Sequence, residues 1–282
     1  MTATKRPPLR YYGGKWMLAP WIVSHFPPHQ RYIEPFAGGA SVLIRKERSR
    51  EEVYNDLSDE VVNLFKVLRS DDADKLIHAI RYTPYSRAEW EESHEPSSDP
   101  VEQARRTLLR SASTFHGLKP RELGTGGSGM RTKTSSRTTP AQDWKNLPRE
   151  IEKIADRLRG VIIEKRDAFE CIDFYDSSES LFYVDPPYLP ETRSSSWREK
   201  GYSFEMTCED HEKLLSTLLN VSGYVVLSHY DHPLYRDMLE GWQTVSHDSV
   251  TTGGQKKKEI LWLSPCVTDA GAFEDRQLSL LG

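Results

Sequence analysis

Asp185-Pro186-Pro187-Tyr188 follows directly on the apolar run Leu181-Phe182-Tyr183-Val184. A carboxylate at the end of a buried strand is costly to desolvate unless a partner uses it. Two prolines cannot continue a β-ladder, and they fix the local backbone. The four residues therefore offer one acid, one carbonyl and one ring in a set geometry, with the ring expected to be exposed and Pro187 holding the turn. An amine conjugated to a nucleobase is a poor nucleophile, because its lone pair is delocalised into the ring. The Asp185 carboxylate and the Pro186 carbonyl can each accept one of its two hydrogens and draw density back onto nitrogen. Tyr188 can stack on the base, which would have to leave a duplex to reach such a site. A plain strand end capped by Asp185 is the alternative, and it leaves Tyr188 unexplained.

Three further stretches offer a ligand site. In Glu34-Pro35-Phe36-Ala37-Gly38-Gly39-Ala40-Ser41 a strand runs into a glycine turn and a helix start, so Glu34, Phe36 and Gly38 border a place where a ligand can meet free N–H groups. The pattern is not G-x-G-x-x-G, so a dinucleotide pyrophosphate is not the natural guest. Asp56 ends the next strand, where an acid can accept both hydroxyls of a ribose; capping the following helix is its plainer role. Tyr11-Tyr12-Gly13-Gly14-Lys15 can set a cation beside a ligand carboxylate, or be a flexible turn. Together they describe a ligand with a ribose, an aromatic base and a carboxylate but no phosphate, which suits S-adenosylmethionine.

These groups need a scaffold. Short strands are expected at Arg31–Glu34, Val53–Tyr54, Val161–Glu164, Leu181–Val184, Tyr224–Leu227 and Ile260–Leu263, with another over Trp242–Val250. Helices are expected over Trp16–Phe26, Ala40–Lys46 and from Asp59, where Val61, Val62, Leu64, Phe65 and Leu68 have helical spacing. This is the rhythm of an α/β doubly wound sheet with helices on both faces. Residues 71–150 read as helical, then irregular, with a helix over Arg105–Phe115. A long Gly/Ser/Thr-rich loop follows, and loops of that length inside a compact chain are usually functional or disordered.

The chain of 282 residues is 28% charged with a formal net charge of −4, so any nucleic-acid contact must come from a local patch. One exists: Lys119, Arg121, Arg131, Lys133 and Arg137 against Glu122 leave +4 over 19 residues. No apolar run approaches the roughly 18 residues of a membrane helix, and no secretory signal opens the chain. Cys171, Cys208 and Cys266 are scattered, which suits a reducing cytoplasm and neither a disulfide framework nor a zinc site.

In their order along the chain, YYGGK, EPFAGG, the acid of YNDLSDEV and DPPY resemble the Dam-type DNA adenine-N6 methyltransferases (D12 class, alpha group). The resemblance covers nearly the whole chain. It implies a Rossmann-like S-adenosylmethionine-dependent methyltransferase core, residues 1–70 and 151–282, with an inserted mainly helical target-recognition domain, residues 71–150. It implies methyl transfer to adenine N6 in double-stranded DNA by direct displacement, without metal, by a cytoplasmic monomer serving restriction–modification, self-protection or regulation. By that resemblance Tyr11, Lys15, Asp56 and Asp185 contact the methyl donor, while Asp185, Pro186 and Tyr188 handle the adenine.

There are departures. Tyr11 stands where the family often has Trp, and Ala40 where its turn often ends in Gly. The recognition stretch is Phe115-His116-Gly117-Leu118-Lys119-Pro120-Arg121, in which His replaces Asn and Arg is displaced, so no target sequence carries over. His116, Lys119 and Arg121 are expected at base edges, and Arg131, Lys133 and Arg137 on phosphates. Trp197, Tyr202 and Phe204 are expected on a loop over the base, and Ser228-His229-Tyr230-Asp231 near its pocket. A zinc deaminase would need H-x-E and P-C-x-x-C, which are absent. Cytosine-N4 methylation, and a catalytically silent DNA-binding regulator, stay open as alternatives.

Overall fold

In the computed structural model the described residues are 4–11, 13–114, 118, 129–133, 138–189, 204–250 and 256–270. Among them seven strands form one sheet: β1 (Arg31–Glu34), β2 (Glu51–Asn55), β3 (Val161–Glu164), β4 (Ser180–Val184), β5 (Tyr224–His229), β6 (Gln243–Val250) and β7 (Lys256–Leu263). Their spatial order is β3-β2-β1-β4-β5-β7-β6. The first five are parallel, and β7 enters antiparallel between β5 and β6. The chain runs outward from β1 to β3 and then returns to the other side of β1 for β4. The crevice at the C-terminal ends of β1 and β4 is therefore the switch point, where open α/β sheets take their ligands. Because β7 is reversed, its first residues lie at that same end.

The helices are α1 (Ala19–Val23), α2 (Ser41–Arg45), α3 (Asp59–Arg69), α4 (Ala73–Tyr82), α5 (Arg87–Glu92), α6 (Pro100–Ser113), α7 (Pro140–Leu158), α8 (Ala168–Tyr175), α9 (Cys208–Leu218), α10 (Pro233–Met238) and α11 (Pro265–Asp269). Side chains alternate across each strand, so the apolar runs feed two faces. Tyr32, Tyr54, Leu181, Tyr183 and Val226 face a core completed by α2, α3, α4, α6 and α7. Ile33, Val53, Phe182, Val184 and Leu227 face a second core under α8, α9 and α10. The doubly wound α/β sheet expected from the sequence is present.

Two helices differ from their expected extent, and a third was not expected. Only Ala19–Val23 of the stretch Trp16–Phe26 is helical, because Pro20 lacks an N–H and is tolerated in the first turn alone. The helix expected at Arg105–Phe115 begins earlier, at Pro100, where Asp99 accepts from the N–H groups of Val101 and Glu102. The segment up to Leu158 is a single 19-residue helix opened by Thr139 and Gln142 as a capping box. Position 150, the expected boundary between recognition and catalytic segments, thus falls inside α7. Leu76, Leu108, Trp144 and Ile151 of the intervening helices join the same core as the sheet. No described helix is long and apolar enough to cross a membrane.

Candidate active site

Three acids stand on adjacent strand ends: Asp56 after β2, Glu34 closing β1, and Asp185 after β4. Asp56 is held by main-chain donors. Its Oδ2 accepts from Gly38 N at 2.9 Å and its Oδ1 from Ser58 N at 2.8 Å. It ties the glycine turn to the start of α3, a helix without a side-chain cap from Ser58. Burial raises its pKa, and the backbone N–H groups of Ser58, Gly38 and Leu57 oppose that rise. Glu34 is buried and its Oε1 accepts from the Tyr32 hydroxyl and from Leu43 N, both at 2.6 Å. It thereby fastens β1 to the first turn of α2, whose N–H groups lack helical partners. Burial pushes its carboxyl up to about 7.

The turn between them is tight. Gly38 has φ 48° and Ala40 has φ 51°, the only positive value at a described residue other than glycine. Ala40 stands where the related pattern has glycine, so the turn keeps a left-handed conformation there at a cost of about 1 kcal/mol. A side chain on Gly38 would put its Cβ 2.9 Å from the Tyr11 ring. The expectation that these glycines bare the backbone to a ligand is thus corrected in part: the ring of Tyr11 occupies that approach. The Tyr54 hydroxyl, at 2.9 Å from the Gly38 carbonyl, holds the turn from below.

Asp185 is held by charge. Its Oδ1 lies 2.9 Å from Lys15 Nζ, and its side chain keeps 19% exposure against 8% for Lys15. Lys15 also lies 3.5 Å from Glu259 Oε1 and donates to the Gly13 carbonyl. A ligand carboxylate beside Lys15 therefore meets a cation already shared by two protein carboxylates. Burial pushes Asp185 up to about 6; Lys15 pulls it down and Glu259 pushes it up. Among the described residues the Pro186 carbonyl accepts no backbone hydrogen bond, so it has a lone pair to offer.

Tyr188 is not the exposed aromatic the sequence suggested; it is 5% exposed. Its hydroxyl donates to Glu259, and the Ser228 hydroxyl, 2.7 Å from it, donates to the same Oε1 at 2.9 Å. Lys15 Nζ sits 4.7 Å from the centre of its ring. The rings of His229 and Tyr230 pack against it with centres 4.7 and 4.8 Å away. Ser228 and His229, neighbours at the end of β5, meet Tyr188 at its hydroxyl and its ring respectively, and both are fully buried rather than on the wall of an open pocket.

Beside these acids lies a cavity of about 290 Å³, walled by Tyr11, Phe36, Asp56, Phe169, Asp185 and Pro187. Phe204, half exposed, and Met206 close its outer side. A narrower crevice of about 50 Å³ continues past Lys15 and Glu34 to Tyr183. The expected ligand residues Tyr11, Lys15, Glu34, Phe36, Gly38, Asp56 and Asp185 thus converge on one region. Sequence reasoning missed Phe169, Met206 and Glu259. The first two had only their placement just after expected strands or loops as a signal. Glu259 had one: a lone acid between three lysines and an apolar run.

Of the residues expected on DNA, His116, Lys119, Arg121 and Arg137 lie outside the described residues, as do Trp197 and Tyr202. Leu118, the one described residue of that stretch, pairs with Tyr11, its N–H donating to the Arg10 carbonyl at 2.7 Å, so it lies beside the site. Arg131 donates to the Ala112 carbonyl at 3.4 Å and lies 4.0 Å from Asp143. Lys133 is exposed.

The D12 class N6 adenine-specific DNA methyltransferase family model matches residues 11–252. Type II methyltransferase M.MjaIII of Methanocaldococcus jannaschii is 23% identical over 91% of this chain and 96% of its own. The DNA adenine methylases of Salmonella typhi and Escherichia coli K12 are 23% and 22% identical, each over 89% of this chain and 91% of its own. The matched span runs from Tyr11 through Asp185 to just past β6, so it takes in the glycine turn, the three acids and the helices between them. The chain belongs to the D12 class of N6 adenine-specific DNA methyltransferases, enzymes that methylate adenine in DNA.

Proposed function

We propose that this chain moves a methyl group from S-adenosylmethionine to the N6 amine of an adenine turned out of duplex DNA, at a specific sequence. The observation that carries the reading is Asp185: a carboxyl on the wall of the cavity, one oxygen against Lys15, followed by a Pro186 carbonyl that no backbone N–H of the described residues engages. The donor set suits S-adenosylmethionine. Asp56 still has lone-pair capacity for a ribose hydroxyl, since its two oxygens together offer about four sites and three main-chain N–H groups approach them. Phe36 and Phe169 offer apolar walls for a base, and Tyr11 fills the glycine turn beneath. When bound, that group supplies an electrophilic methyl on a sulfonium.

The chain's own work is to make the amine nucleophilic and to hold it still. Asp185 accepts one amine hydrogen and the Pro186 carbonyl the other, and Pro187 fixes their spacing. Tyr188 braces the turn from behind, and it can offer an edge or a face to the base once the pocket is filled. Hydrophobic walls exclude water, which strengthens both acceptors. The stretch around Leu118, together with the exposed Lys133, is the part of the chain that reads and grips DNA in this scheme, with His116, Lys119 and Arg121 on bases and Arg131, Lys133 and Arg137 on phosphates. The enzyme works in the cytoplasm as a monomer.

DNA from a host without adenine methylation of its own, expressing either the wild type or Asp185→Ala, tests this by single-molecule sequencing. Methyl-adenine at one defined sequence with the wild type alone is the expected result, and it supplies the target. Modified cytosine would move the chemistry to N4. Methyl-adenine persisting in Asp185→Ala would overturn the acceptor roles of Asp185 and Pro186.

A further inference from the structure

A fourth carboxylate shares the site and has no part in the chemistry above. Glu259 is 5% exposed and lies near the start of β7, which the reversed strand brings to the C-terminal end of β4 and β5. One of its oxygens collects three donors: the Tyr188 hydroxyl, the Ser228 hydroxyl at 2.9 Å and the Lys15 ammonium at 3.5 Å. That ammonium is also the partner of Asp185, at 2.9 Å. One cation thus serves two acids, and one of those acids holds the ring that follows the other in sequence.

We infer that Glu259 is a positioning residue for methyl transfer: it shares the Lys15 charge and takes the Tyr188 hydroxyl, which leaves Asp185 an acceptor for the amine and keeps the Asp185–Tyr188 turn in register. The inference rests on the roles proposed for Asp185 and Tyr188. A lysine paired with Asp185 alone would neutralise it and weaken it as an acceptor. A lysine drawn to Glu259 alone would leave two buried negative charges facing each other. The shared arrangement leaves the trio with a net single negative charge, and the amine hydrogens are what it can still accept.

The groups that face Asp185 are Lys15 from the N-terminal segment, Glu34 of β1, Tyr183 of β4, Tyr188 of its own turn, Glu259 of β7 and Tyr235 of α10. Burial raises the Asp185 pKa most, and the charge of Glu259 adds to the rise. Removing that charge while keeping the shape must therefore lower the pKa of Asp185. Since the ionised carboxylate is the acceptor, activity falls as pH drops through that pKa, and the acid limb of the rate profile moves to lower pH in Glu259→Gln. Glu34 also titrates in this range, at about 7, so the limb is assigned by its response to Glu259 and not by its position.

The test measures single-turnover transfer of labelled methyl from S-adenosylmethionine to duplex DNA, from pH 5 to 9, for wild type, Glu259→Gln and Asp185→Ala. Glu259→Gln is expected to lose about tenfold or more in rate at neutral pH, with the KM for the donor and the melting temperature little changed. Its acid limb shifts to lower pH. An unchanged rate and limb overturns the inference, and so does a loss accompanied by equal losses of donor binding and melting temperature with the limb unmoved. If Glu259→Gln does not fold, Tyr188→Phe removes the hydroxyl and keeps the ring; a several-fold loss of rate supports the tether, and wild-type rate overturns it. Activity surviving in Asp185→Ala would instead sink the underlying assignment of the acceptor.

Discussion

Asp56 and Asp185 occupy matching places, each just past the end of a parallel strand, on either side of β1. Burial raises both carboxyls, yet they are held by different means. Asp56 is gripped by neutral main-chain N–H groups from two turns, and these cannot leave or titrate. Asp185 is gripped chiefly by an ammonium on a flexible stem, itself shared with Glu259, with help from the Tyr188 hydroxyl. The difference matches the tasks proposed for them. A carboxylate that only receives hydroxyl hydrogens gains from a rigid mount. One that must respond to an amine changing its charge gains from a partner whose electrostatic pull is finely divided.

The comparison breaks first at Asp185. Asp185→Ala should lower the single-turnover rate by about a thousandfold or more, as removal of a preorganised polar group at a reacting atom commonly does. Donor affinity should change far less, measured by titration calorimetry. Asp56→Asn should do the reverse. Two charged acceptors of ribose hydroxyls become one neutral one, so donor affinity falls about ten- to hundredfold while the rate at saturation stays close to wild type. If both variants lost rate alike, the division of labour between the two acids would be wrong.

Much of this was legible in the sequence. Alternating apolar runs such as Tyr32-Ile33 and Leu181-Phe182-Tyr183-Val184 sort by parity onto two faces, so a two-sided sheet follows from period two alone. The glycine turn, Asp56 and Asp185 were legible because each sits within a few residues of a strand end. What could not be read depends on pairing between remote segments. Lys15 and Glu259 come from opposite ends of the chain, and only the insertion of β7 beside β5 brings them within reach. The burial of Tyr188 follows from the same insertion, since its hydroxyl finds Glu259 there. Local spacing carries no trace of a strand reversed between two others. The extent of α6, by contrast, was there to be read in Asp99-Pro100, a cap followed by a first-turn proline.

A smaller effect sharpens the view of the mount. Gly38→Ala would place a methyl 2.9 Å from the Tyr11 ring at a backbone φ of 48°. The fold loses roughly 2 kcal/mol from strain and displacement of the ring, read as a lower melting temperature. Donor binding weakens in step, because Tyr11 and Asp56 both lean on this turn.

A last effect, confined to stability and to one range of pH, concerns Glu34, the acid between the other two. Its folded pKa is about 7, above the ordinary carboxylate value of 4.5, and burial is the chief cause. Between those two pH values the folded chain holds more protons than the unfolded one. Stability contributed by this group therefore rises as pH falls from about 7 toward 4.5, by at most roughly 1.4 kcal/mol for each pH unit. Above pH 7 the cost of the buried charge is fully present. Glu34→Gln keeps an oxygen for the Tyr32 hydroxyl and Leu43 N–H but carries no charge. The variant should exceed wild-type stability at pH 8, by at most roughly 3 kcal/mol, and the two unfolding curves should converge by pH 5. A variant that is less stable at pH 8 than at pH 5, relative to wild type, would mean that the Glu34 charge is compensated by a favourable partner, and that the acid at the centre of the three is mounted like Asp185 rather than merely buried.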